Sequence, residues 1–195
     1  MRKIDQNYLA KIVTLVFSPL IWVPFGIEFL LWRALNKSLI VGWQILLLSI
    51  FFIFLPVLFF FYFVSRKRLD FDLSEKRERL RFFVFAIGCD FLGLNLVYYF
   101  SAYLFRVFLA LTFTALAFVL VTFWSRASLH IGGLTAVYLV LNYSTDWRFF
   151  YLCPIIPLVA WSRIVLKKHN RLQVLEGFLI PLLTIPISFF LLNIP

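Results

Sequence analysis

Long apolar runs separated by short polar breaks set the pattern of this chain. The runs fall at 12–32, 38–64, 82–100, 107–124, 128–143, 149–166 and 172–192. None alternates apolar and polar positions as a barrel strand would. A helix needs roughly 20 apolar residues to cross a bilayer, with a range near 17–25. Inside lipid each backbone group must find its partner within the segment, so each run predicts a helix. The pattern therefore predicts an all-α fold, a polytopic transmembrane helix bundle of six or seven spans. It forms one integral membrane domain over residues 1–195. The run 128–143 is short and is expected in the bundle interior. The first run holds Pro19 and Pro24, which predict a kink or a re-entrant turn.

Composition narrows the class further. The mean hydropathy is +0.95. There are 26 Phe, and 14% of the residues are charged. A soluble core of this size could not hide that much apolar surface. Cys89 and Cys153 both lie within apolar runs, where they read as small hydrophobes. With only two histidines and no Cys-x-x-Cys, neither a metal site nor a cofactor is expected.

The net charge of +10 would suggest nucleic acid in a soluble protein. Here the basic residues sit in the breaks between runs. Membrane orientation and the anionic headgroups of membrane lipids account for them, and no nucleic-acid partner is expected. With seven crossings, fifteen of the 19 Lys and Arg fall on one face. Arg33, Lys37, Arg106 and Arg148 fall on the other. The rich face is expected to be cytoplasmic.

Three polar segments share that face: 65–83, 124–136 and 161–181. An even number of crossings separates each from the next. Their chemistry suits a phosphate. Arg offers a planar fork for paired, charge-assisted hydrogen bonds, and a helix N-terminus offers free N–H groups and a positive dipole end. Ser128 and His130 stand where an apolar helix begins, and His169 stands at the start of the last one. Gln173 follows His169 by four residues, one turn further on the same helix face.

The pattern resembles the type 2 phosphatidic acid phosphatase superfamily, whose membrane members are helical lipid phosphatases. The family pattern is Lys-x6-Arg-Pro, then Pro-Ser-Gly-His, then Ser-Arg-x5-His-x3-Asp. The third motif reads here Ser162-Arg163, five residues, His169, three residues, Gln173. The second reads Ala127-Ser128-Leu129-His130. The first keeps Arg79, with Leu80 for Pro and Asp72 for Lys. The wording of "DLSEKRERLRFF", "HNRLQVLEG" and "FSPLIWVPFG" looks like a bacterial membrane branch. This implies an inner-membrane location.

The resemblance implies that His169 attacks phosphorus and forms a phosphohistidine. His130 would protonate the leaving oxygen and then activate water. Arg79, Arg163 and Ser128 would hold the phosphoryl oxygens, and Gln173 would orient His169 in place of the family aspartate. The expected activity is hydrolysis of a lipid phosphomonoester or pyrophosphate. The departures at Asp72, Leu80 and Gln173 support a second expectation: a catalytically silent relative, retained as an accessory subunit with membrane-protein partners. Asp90 is the one acid deep in an apolar run, and a structural hydrogen bond to Asn95, Ser101 or a tyrosine is expected for it.

Overall fold

The computed structural model describes residues 5–66 and 72–194. Among them are nine α-helices and no strand. The helices are α1 Gln6–Val16, α2 Pro19–Asn36, α3 Gly42–Ser49, α4 Leu55–Ser65, α5 Lys76–Phe100, α6 Ala102–Thr122, α7 Leu129–Ser144, α8 Ile155–Val165 and α9 Arg171–Leu191. Five stretches are long and apolar enough to cross a membrane: Gln6–Asn36, Gly42–Ser65, Lys76–Phe100, Ala102–Thr122 and Arg171–Leu191.

The breaks follow local chemistry. The first apolar run divides at Phe17 and Ser18 into α1 and α2. The Ser18 hydroxyl accepts from the Leu20 N–H, and Pro19 opens α2, where a missing N–H costs nothing. After this break α1 packs on α8, held by a 3.0 Å hydrogen bond between the Thr14 and Ser162 hydroxyls. A π-helical turn, Ile50–Phe54, joins α3 to α4. Pro56 follows it and has no N–H to offer residue 52, so the regular ladder cannot run through.

Helix α5 starts at Lys76, earlier than the apolar run. Its first turns, rich in Lys, Arg and Glu, are strong helix formers without being apolar. Arg79, which falls in the polar segment 65–83 ahead of the apolar run, lies in the first turn of α5 and is fully buried. The run 149–166 yields only a short 3₁₀ turn, Phe150–Leu152, and the eleven-residue α8.

Helix α7 occupies the interior, as its short run predicts. It packs against α2 and α9, and most of its residues are buried. Gly132 lets it approach α6, where an added Cβ would lie 2.0 Å from the ring of Phe118. The outer surface carries exposed aromatic and aliphatic side chains, among them Trp32, Trp43, Trp124, Tyr99 and Phe190. Such a surface suits lipid tails and interfaces. Asp90 lies close to Thr112 of α6, whose hydroxyl donates to the Phe108 carbonyl at 3.0 Å. This differs from the expected partners. Asn95 gives its side-chain N–H to Phe91 on its own helix, and the Ser101 hydroxyl caps α6.

Candidate phosphate site

Three loops meet at one end of the bundle, and hydrogen bonds between them show it directly. Arg126 donates to the Ser74 carbonyl at 3.1 Å, and Lys76 donates to the Phe123 carbonyl at 3.1 Å. The Ser128 N–H donates to the Gln173 carbonyl at 2.8 Å. Gly177 makes this last approach possible. A Cβ there would stand 2.5 Å from the Ser128 carbonyl oxygen, so any other residue would push α9 away from the start of α7.

The spacing between Arg163 and His169 has a structural reason. Helix α8 ends with Lys167 in the left-handed region, at φ 53°. The Lys168 N–H returns to the Arg163 carbonyl, and the Lys167 N–H returns to Ile164. This double return is the Schellman closure of a helix. It turns the chain sharply enough for the His169 N–H to reach the same Arg163 carbonyl at 3.4 Å. Arg163 and His169 are thereby brought side by side.

Asn170 then caps α9. Its side-chain oxygen accepts from the Gln173 N–H at 2.9 Å, and the Gln173 amide oxygen accepts from the Asn170 N–H at 3.2 Å. This is a capping box. The same amide oxygen lies 3.2 Å from His169 Nδ1. Because that oxygen is an acceptor, it places the imidazole proton on Nδ1 and leaves the lone pair on Nε2. Burial, and next the Arg163 guanidinium, push the His169 pKa down from 6.5 to about 4. His169 is therefore neutral at pH 7.

Arg163 is 1% exposed. Its Nη2 donates to Asp72 Oδ1 at 2.6 Å, and Lys168 Nζ meets Asp72 Oδ2 at 2.7 Å. Burial alone would raise the Asp72 pKa, but the hydrogen bonds from Lys168 and Arg163 overcome it and hold the group at about 2. The carboxylate thus binds two cations in a place where a phosphoryl group would find the same partners. Among the described residues, Arg163 Nε is buried without a hydrogen-bond partner, and so is the hydroxyl of Ser128. The N–H groups of Leu129, His130 and Ile131 also have no acceptor among the described residues.

Arg79 stands at the base of the site, within electrostatic reach of His169. Its described hydrogen bonds run to backbone carbonyls, to Ala127 at 2.7 Å and to Leu73 at 3.4 Å. It ties the α4–α5 segment to the start of α7. Leu73 presents that carbonyl from a left-handed conformation, at φ 48°. This is strained for a branched side chain and persists only where the surroundings fix it.

His130 is nearly buried and lies within electrostatic reach of Arg163, Asp72, His169 and Lys168. His169 feels Arg163, Arg79 and Asp72. The structure therefore gathers Arg79, Ser128, His130, Arg163, His169 and Gln173 at one end. Glu176, the acid two turns into α9, is engaged by the Ser125 hydroxyl. No group of acids, cysteines and histidines that could hold a metal occurs among the described residues. Arg2, Lys3, Lys67 and Arg68, counted on the basic face, lie outside the described residues.

Asp72 and Lys168 were not read from sequence as members of the site. Asp72, where the resembled motif has a lysine, looks from sequence like the loss of a cation. In the fold it is the counter-ion of Arg163. The capping box did have a sequence signal, the Asn-x-x-Gln of 170–173. In comparisons with known proteins, the chain matches no family model, no curated protein and no solved structure.

Proposed function

We propose that this protein is a membrane phosphohydrolase acting on a lipid phosphomonoester or diphosphate. The observation that carries the reading is the pair of unpartnered buried donors, Arg163 Nε and Ser128 Oγ, beside two histidines. A buried guanidinium nitrogen without an acceptor is costly, and an incoming phosphoryl oxygen relieves it. The start of α7 adds free N–H groups and the positive end of its dipole.

In the reaction the His169 Nε2 lone pair attacks phosphorus, and the bond from phosphorus to the lipid oxygen breaks. His130, neutral in its buried place, passes a proton from the phosphate monoanion to that oxygen, and the lipid alcohol leaves. Neutral His130 then takes a proton from water, whose oxygen attacks phosphorus and breaks the phosphorus–nitrogen bond. Inorganic phosphate leaves and His169 is restored. Covalent catalysis divides one hard displacement into two easier ones. Arg163, Lys168 and the α7 N–H groups stabilise charge on the equatorial oxygens. Asp72 must give up its two cations for the substrate to bind.

The lysines and arginines gathered at this end support a cytoplasmic position for it. The resemblance of three stretches to a bacterial membrane branch supports an inner membrane, and seven crossings would place the C-terminus on the opposite side. Cysteine labelling at position 74 in intact and permeabilised cells tests the orientation. Labelling of intact cells would reverse it.

The decisive measurement is phosphate release from a lipid phosphate by wild type and by His169→Ala. Release by wild type alone, with an acid-labile phosphoryl adduct on His169, supports the reading. Equal release by both removes it. One observation favours the silent-subunit reading: Asp72 already neutralises the cations the reaction needs. Absence of release, together with a stable membrane-protein partner on purification, would select it.

A further inference from the structure

The bundle contains a cavity of about 250 Å³ behind the polar end. Its lining is almost wholly apolar, and Asp72 and His130 belong both to it and to the phosphate site. Its course can be read from the helices around it. On α7 the lining runs from Leu129 to Ala136. On α6, which runs the other way, it spans Phe118 back to Leu111, and on α2 it spans Ser18 to Pro24. Seven residues of helix are about 10 Å. The cavity therefore begins at the histidines and descends about two turns between α2, α6 and α7.

Irregular helices make this space. A further wall is the π-helical turn and α4, where Phe52, Ile53 and Pro56 line it, and Phe82 and Phe83 of α5 close the side beside them. Pro19 and Pro24 line the wall formed by α2. Regular helices pack at near-crystalline density and leave few voids larger than a water molecule. A channel of this length is apolar inside and reaches, at Asp72 and His130, the group that Arg163 and Lys168 bind, so it matches a molecule with an apolar chain and an anionic head.

We infer that this cavity takes the chain of the substrate, and that the substrate is a phosphate ester carrying one long apolar chain. The inference rests on the reading of the polar end as a phosphate site. It changes where the chain lies. A headgroup could reach the bundle edge while its tails stay in the bilayer. Here the chain enters the protein, past His130, and the phosphate is left at Arg163 and Lys168. The volume lies below the range of roughly 300–1,000 Å³ usual for sites that take drug-sized ligands. One narrow chain fits it, and the paired chains of a diacyl lipid do not.

The test uses the full chain in phosphatidylcholine nanodiscs with propyl phosphate, dodecyl phosphate and dipalmitoyl phosphatidate. Dodecyl phosphate should exceed both others by about tenfold or more in kcat/KM. Ala115→Phe, which fills the cavity from α6, should bring dodecyl phosphate down to the propyl phosphate value and leave propyl phosphate unchanged. Leu111→Ala, which widens it, should narrow the gap between dodecyl phosphate and phosphatidate. A wild type that prefers phosphatidate, or an Ala115→Phe variant that loses both single-chain substrates alike, overturns the proposal. If no substrate is hydrolysed, the phosphohydrolase reading fails, and the cavity is tested separately. Dodecyl phosphate with a diazirine at its chain end should crosslink to Ala115 or Ala136. Crosslinks confined to outward-facing side chains would overturn the tail site whatever the activity.

Discussion

Asn142, near the end of α7, and Arg163, near the end of α8, sit at opposite ends of the bundle and meet opposite fates. Asn142 gives its side-chain N–H to the Tyr138 carbonyl at 2.9 Å and accepts from the Phe149 N–H at 3.1 Å. At the same end, Arg106 donates to the Asn193 carbonyl and Thr145 to the Leu141 carbonyl. Polar side chains there bind the backbone that surrounds them. At the other end, among the described residues, Arg163 meets the Asp72 carboxylate and keeps Nε without a partner. The Ser144 hydroxyl is also unpartnered at the Asn142 end. A neutral hydroxyl left so costs about 1–3 kcal/mol, and a charged group costs more. The two ends teach where a ligand would lower the free energy: at the end where buried charge is matched only in part.

The sharpest way to break this comparison is to remove one polar residue from each end. His169→Ala should lower phosphate release by about three powers of ten or more, since it removes the attacking atom. Asn142→Ala should leave release near wild type and lower only thermal stability. If both variants lower release alike, the two ends do not differ in the way proposed.

Charge gives the next largest contrast. Arg163→Gln breaks a buried ion pair and should destabilise by about 2–4 kcal/mol, because Asp72 keeps only Lys168. Arg106→Gln, which loses a hydrogen bond to a carbonyl near the surface, should cost about 1 kcal/mol or less. Thermal unfolding in one detergent measures both. Similar losses would mean that Arg163 is no more constrained than a peripheral arginine.

A smaller effect is expected when the internal anion is neutralised. Asp72→Asn should bind inorganic phosphate several-fold more tightly, since Arg163 and Lys168 would no longer face a competing carboxylate. If Asp72 serves only to hold Arg163 in place, the same variant should bind phosphate more weakly. The sign of the change separates the two roles.

The helices were legible in the sequence because lipid allows few alternatives, and an apolar run of sufficient length is already a helix. The interior place of α7 was legible from its length. Helix ends with charge were not. Arg79 reads as loop because hydrophobicity marks only the part of α5 that begins at Arg81 and Phe82. The meeting of three loops followed from counting crossings, and the His169–Gln173 contact from helical spacing. Asp72 escaped because its role depends on the Schellman turn after α8 and on a left-handed Leu73, and neither residue announces such a conformation. The cavity escaped for a related reason. It arises from what proline and a π-helical turn do to packing between helices distant in sequence.

The finest test of the polar end concerns Gln173, whose amide oxygen serves both the cap of α9 and His169. Gln173→Glu keeps an acceptor at the same distance from the backbone, and Glu is a preferred residue at this position of a capping box. It adds a negative charge at a helix N-terminus, favourable by about 0.3–1 kcal/mol. The same charge stabilises the His169 imidazolium, so the folded pKa should rise from about 4 toward the ordinary 6.5. Between those values the unfolded chain takes up the proton and the folded chain does not. Stability therefore falls as pH falls from 6.5 to about 4, and a raised folded pKa narrows that window. In wild type the acid limb of kcat/KM should lie near pH 4, and in Gln173→Glu it should lie higher, with the plateau at pH 7 little changed. Gln173→Leu loses the acceptor, should cost about 1 kcal/mol as a lost cap, and should lower the plateau because Nδ1 is no longer held. If all three proteins share one acid limb, His169 is not the group that titrates, and the contact at 3.2 Å serves the helix alone.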